Sequence, residues 1–182
     1  ADLECRHGQE GFFVEIAAMV GRNDHRKPAR AISPLMVEQD EESHILIDRI
    51  IARISQKARQ LVDYCEPVLL AVTVPPKDRL GRQHSRGRGR QYASDLEELD
   101  MKQLAGAVTV MLPRVRRVSA VLLSLWDVEP AMARSGVRLA NVYLVERSPQ
   151  QTAYPRVRLL IINPSAAYPL KTLEIESLKG LL

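Results

Sequence analysis

Apolar residues recur at steps of three and four through Ile47, Ile50, Ile51, Ile54, Ala58 and Leu61. This spacing predicts an amphipathic helix from Glu41 to about Tyr64, with that stripe as its buried face. Asp40-Glu41-Glu42 suits the positive end of the helix dipole, and Glu66-Pro67 stops the chain from continuing as helix. Arg53, Gln56, Lys57, Gln60 and Tyr64 form a second row on an adjoining face, a pattern ordinarily met on a solvated helix surface. Residues 1–20 predict a different element, two strands joined by a turn at His7-Gly8-Gln9-Glu10-Gly11, with glycines where a hairpin uses positive φ. Val68 to Val74 is short, β-branched and apolar on both faces, as expected of a buried parallel strand.

The rest of the chain is less regular. Gly21 to Ser33 is polar, basic and broken by Pro28, and reads as a loop. Ser94 with Glu97 three residues on is a capping-box signal for a helix to about Ala105, and Ala107 to Leu112 is open between helix and strand. Val118 to Trp126 predicts another buried strand, and Glu129 to Gly136 a connection. Arg138 to Glu146 and Arg156 to Asn163 predict an antiparallel pair. A proline-bounded turn at 163–170 leads into a short terminal helix within Lys171 to Leu182. A hairpin, a crossing helix and a buried strand in that order give an α/β class.

Length and composition narrow the class further. The 182 residues fit one domain able to bury a core, and 46% hydrophobic residues with scattered charge exclude a disordered chain. No apolar run is long enough for a membrane-spanning helix, and no signal-peptide pattern is present. Cys5 and Cys65 lack metal-ligand spacing and read as reduced, partly buried thiols, so a cytoplasmic location is expected. The four histidines form no pair that would suit zinc. The start of the sequence directly inside a strand leads to the expectation of a further segment upstream.

The net charge of +4 allows a nucleic-acid partner, and the distribution of the charge is more informative than its sum. Lys77 to Tyr92 carries Lys77, Arg79, Arg82, Arg86, Arg88 and Arg90 against the single acid Asp78, with glycines between them. Such a stretch cannot build a core; it is either a solvated excursion or an arm that grips phosphates. Arg114, Arg116 and Arg117 could assist such an arm. Among the acids, Asp2 and Glu4 on the first strand are unremarkable, as charged side chains usually face solvent. Glu15 differs, because it interrupts an apolar strand between Val14 and Ile16-Ala17-Ala18, where a carboxylate needs a partner or a metal.

The acidic hairpin ending in Glu15-Ile16-Ala17, the helix with Lys57-Ala58-Arg59-Gln60 and the apolar strand after it resemble the PD-(D/E)xK nuclease superfamily. Arg117 to Leu122 and Asn163 to Leu170 look like segments of its uncharacterised members. The resemblance covers the first 74 residues best. It implies a restriction-endonuclease-like mixed central sheet flanked by helices, within one domain. It also implies Mg²⁺-dependent hydrolysis of DNA phosphodiester bonds, with Mn²⁺ as a substitute. Asp2 and Glu15 would be the metal ligands, aided by the Ile16 carbonyl. The family's usual lysine, two residues after the second acid, is Ala17 here. Either Lys57 supplies that cation from the helix, with Gln60 one turn on orienting the water or a ligand, or the site is inactive and the fold serves as a nucleic-acid-binding or protein-interaction module. Gln60 and Tyr64 also fit the Q-x-x-x-Y pattern of RecB-like members. Many members carry a further Glu on a helix before the first strand, which this sequence lacks. The implied partner is DNA, with a second copy or a partner protein as further candidates and no membrane.

Overall fold

The structure, a computed structural model, describes residues 1–7, 10–19, 38–76, 97–131, 140–180 and 182. Strands β1 (Leu3–His7) and β2 (Glu10–Ala18) form an antiparallel hairpin with Leu3 opposite Val14. The long helix α1 (Glu38–Gln60) then leads to β3 (Val68–Val74), which pairs parallel to β2 with Glu15 beside Leu70. Next come β4 (Glu97–Asp100), α2 (Met101–Met111), a single 3₁₀ turn (Leu112–Arg114) and β5 (Ala120–Leu125), parallel to β3. After β6 (Val128–Ala131), strands β7 (Val142–Glu146) and β8 (Val157–Ile162) form the expected antiparallel pair, and α3 (Thr172–Gly180) follows. The result is a mixed α/β architecture. Its six-stranded sheet has the order β1-β2-β3-β5-β8-β7, and three helices flank it.

The two faces of the sheet are covered unequally, and strand alternation determines which residue meets which layer. Ala17, Leu70, Val72, Val121, Leu123, Leu159 and Ile161 point to the side of α1 and α2. There they meet the α1 stripe, in which Ile50 and Ile54 are fully buried and Ile47, Ala58 and Leu61 nearly so. The opposite face carries Val14, Leu69, Ala120 and Leu160 under Leu170 and the α3 residue Leu178. Ile16 on that face stays 45% exposed. Burial on both faces explains why β3 and β5 read as continuous apolar runs.

Several local expectations change. The cap of α2 is Asp100, whose Oδ1 accepts from the backbone N–H groups of Lys102 and Gln103 at 2.8 and 2.9 Å. The predicted cap, Ser94, lies outside the described residues, and Glu97 to Asp100 is strand. The ambiguous stretch 107–111 continues α2, since Val108 and Met111 extend its buried face. Glu129 to Ala131, the described part of the expected connection, belongs to β6, which pairs parallel with β4. That pairing joins segments 28 or more residues apart in sequence, and local pattern holds no signal for it. Gly11 lies within β2, and its need for glycine is contact: an added Cβ would meet the Cys5 carbonyl at 2.7 Å. Cys65 is exposed; Cys5 is half-buried as expected.

Buried polar side chains fasten the N-terminal ends of β3 and β5 to the chain after β8. The Ser119 hydroxyl accepts from Val68 N–H at 2.9 Å and donates to the Tyr168 carbonyl. Asn163, 1% exposed, donates to the carbonyls of Val118 at 2.7 Å and Leu112 at 3.2 Å, while its Oδ1 accepts from Ser165 N–H. Asn163→Ala takes the amide donor from the buried Val118 carbonyl and the acceptor from Ser165 N–H, while the Leu112 carbonyl keeps Val115 N–H at 3.0 Å, and a loss of about 2–3 kcal/mol is expected in urea unfolding. The exposed Val110→Ala substitution, measured alongside, should stay within about 0.5 kcal/mol of the parent.

Candidate active site at the β1–β2 hairpin

Glu15 sits on the α1 side of β2, 8% exposed, among apolar neighbours. An ionised carboxylate there is costly without a partner. The partner is Lys57, 42 residues on, whose Nζ donates to Glu15 Oε1 at 2.6 Å. Both side chains are largely withdrawn from water, at 11% exposed for Glu15 and 18% for Lys57. The other oxygen, Oε2, is 3.7 Å from the Ala1 nitrogen. The contact exists because Lys57 precedes the buried Ala58 on α1, so its stem runs along the helix edge and its tip reaches β2.

Asp2 brackets Glu15 along the backbone. Its own N–H donates to the Val14 carbonyl at 2.9 Å, and its Oδ2 accepts from Ile16 N–H at 2.7 Å. Asp2 thus holds the edge of β2 on either side of Glu15. In an extended strand the N–H and C=O of one residue share an edge, so the Ile16 carbonyl faces the same side as Asp2. Two carboxylates and a carbonyl, all hard oxygen donors, fit Mg²⁺, which commonly takes one or two carboxylates and completes its shell with water and substrate phosphate. No group of three or more His, Cys, Asp or Glu side chains among the described residues is placed to hold a metal.

Other members of the helix row reach the same hairpin. Tyr64 packs edge-on against Phe13, with ring centroids 5.4 Å apart, and its hydroxyl takes a hydrogen bond from the Ala1 nitrogen. One turn before Lys57, the Arg53 guanidinium donates to Gln56 Oε1 at 2.9 Å and to the Ala18 carbonyl at 3.4 Å. The row predicted as a solvated face thus touches β2 at three levels. Gln60, the last residue of α1, is exposed.

The basic residues divide. Arg79, Arg82, Arg86, Arg88 and Arg90 lie outside the described residues. Arg116 is exposed, with its Nε donating to the Ser165 carbonyl at 3.3 Å. Arg117 donates to the Tyr64 carbonyl at 2.9 Å and lies 5.3 Å from the Tyr168 ring centroid. A hydrogen bond with the Tyr168 side chain holds its guanidinium above the ordinary arginine value. A cleft of about 290 Å³ is lined by Glu4, Arg6, Glu66 and Lys171 among others, and Glu15 is not part of it.

Removing the ammonium leaves Glu15 charged and withdrawn from water. Lys57→Met is expected to cost about 2–3 kcal/mol in urea unfolding, below the figure for a fully buried pair because both groups keep some solvent. Adding Glu15→Gln should restore at least about 1 kcal/mol, and strictly additive losses would show that the pair is not coupled. Compared with family models, curated proteins and solved structures, the chain matches none.

Proposed function

We propose that this chain is a divalent-metal-dependent phosphodiesterase of restriction-endonuclease-like fold that cleaves DNA, with its centre at Asp2, Glu15 and Lys57. The observation that carries the reading is the 2.6 Å contact between Lys57 and Glu15. It brings a helix cation to the carboxylate of the strand whose usual lysine position is Ala17. The order of hairpin, crossing helix and parallel strand is the order the resemblance implies. Asp2, Glu15 and the Ile16 carbonyl would hold Mg²⁺ or Mn²⁺. The bound cation supplies Lewis-acid polarisation of the phosphodiester and a lowered pKa for a coordinated water.

The chain's own residues have distinct tasks. Asp2, tethered to Ile16 N–H, keeps the end of β1 against β2 and so fixes the two carboxylates relative to one another. Lys57 neutralises Glu15 in the free protein, and its ammonium is in position to stabilise negative charge building on the phosphate. Gln60, one turn on, would orient the attacking water.

A second reading draws on the same contact. A lysine at 2.6 Å satisfies Glu15 by itself, as in a non-catalytic module of this fold that binds DNA or a protein. Labelled duplex and single-stranded DNA incubated with Mg²⁺ or Mn²⁺ separates the two. The catalytic reading expects cleavage that EDTA stops. It also expects Asp2→Ala and Glu15→Ala to abolish cleavage with the fold retained, and Lys57→Ala to slow it on the order of 100-fold or more. Full cleavage by either carboxylate variant removes the centre. Salt-sensitive binding with no metal-dependent product favours the module.

A further inference from the structure

Arg49, Arg53 and Lys57 stand on successive turns of α1, four residues apart each time. Lys57 meets Glu15 and Arg53 meets the carbonyl of Ala18, so α1 runs opposite to β2 and Arg49 follows one turn beyond Arg53, toward and past the carboxyl end of that strand. Like charges at this spacing disfavour a helix, so the stripe is not there to stabilise α1. Neither arginine forms an ion pair among the described residues. Arg53 contacts only the neutral oxygens of Gln56 and Ala18. Asp48 adjoins Arg49 in sequence, but neighbours on a helix do not face one another.

A second observation is independent of the spacing. The Nε atoms of both arginines are buried and lack a hydrogen-bond acceptor among the described residues. Both side chains are half-buried overall. The stem and Nε are thus held in place, and neither guanidinium has a carboxylate partner among the described residues. A guanidinium kept this way, next to a lysine already neutralised by Glu15, is open to an anion, and its fork suits phosphate.

We infer that Arg49 and Arg53 form a phosphate-binding stripe that extends from the Asp2–Glu15–Lys57 centre along α1 and holds consecutive phosphates of one nucleic-acid strand on the side of the β2 carboxyl end. Residues four apart on α1 are separated by about 6 Å along the axis, which lets neighbouring phosphates meet Arg49 and Arg53. The inference rests on the proposed function for its scissile centre, and on its own observations for the anion contact.

The test uses the full chain with Arg49→Gln, Arg53→Gln, the double Gln variant and the double Lys variant. Glutamine keeps much of the stem and removes the charge; lysine keeps the charge and loses the fork. Binding of labelled duplex DNA is measured across a salt series in Ca²⁺, and cleavage is measured separately in Mg²⁺. Each single Gln variant should lower the slope of log affinity against log salt by about one, and the double variant by about two. The double Gln variant should bind at least tenfold more weakly, and the double Lys variant should regain most of the slope. Should the wild type cleave while the double Gln variant keeps its affinity and slope, the stripe is overturned and the centre stands. Should the wild type bind without cleaving while the slope falls as described, the catalytic centre is overturned and the stripe stands. A wild type that neither binds nor cleaves overturns both.

Discussion

A carboxylate on an apolar strand has to be met by a cation, and Glu15 is that carboxylate. β2 is paired on both edges, to β1 and to β3, and α1 covers the side from which Glu15 projects. Neither sheet hydrogen bonding nor apolar packing compensates its charge. Lys57 does, at 2.6 Å, so the ion pair and the packing of Ile54, Ala58 and Leu61 must agree on one register for α1 across the sheet. A one-turn shift of α1 that put Leu61 over Glu15 would carry the apolar stripe along but leave the carboxylate without a cation, whereas the opposite shift would offer it Arg53. The pair thus disfavours the first of these placements, which hydrophobic contact alone treats as similar.

The same register arranges the surroundings of the pair. With Lys57 over Glu15, Arg53 falls at the Ala18 carbonyl and Tyr64 against Phe13, so the row touches β2 between Phe13 and Ala18. Asp2 holds the outer strand by spanning from Val14 to Ile16. Positive charge is therefore concentrated along one side of α1 and negative charge at one point of the hairpin.

The sequence by itself determined the elements whose residues carry a strong local pattern. The α1 stripe from Ile47 to Leu61 lies where its period puts it, the Val68–Val74 strand where its continuous apolar run puts it, and the β7–β8 pair is present although β7 begins at Val142. Glu15 was legible as an anomaly for the same reason, and Lys57 as a member of a helix row. The spacing of Arg49, Arg53 and Lys57 was equally present in the chain. Only tertiary structure revealed which side of α1 the arginines occupy and that their Nε groups lack acceptors among the described residues. The cap of α2 was misplaced because Ser94 and Asp100 both carry the right chemistry, and the pairing of β4 with β6 decides which one precedes helix.

What tertiary structure alone decided is pairing between segments far apart in the chain. A lysine and a glutamate separated by 42 residues have no local signal that they will touch, nor has Val128 to Ala131 any that it will lie beside Glu97 to Asp100. Such contacts depend on how twisted, two-sided layers fit together. That fit is settled by the whole core at once, whereas periodicity reports only which face of each element will be buried.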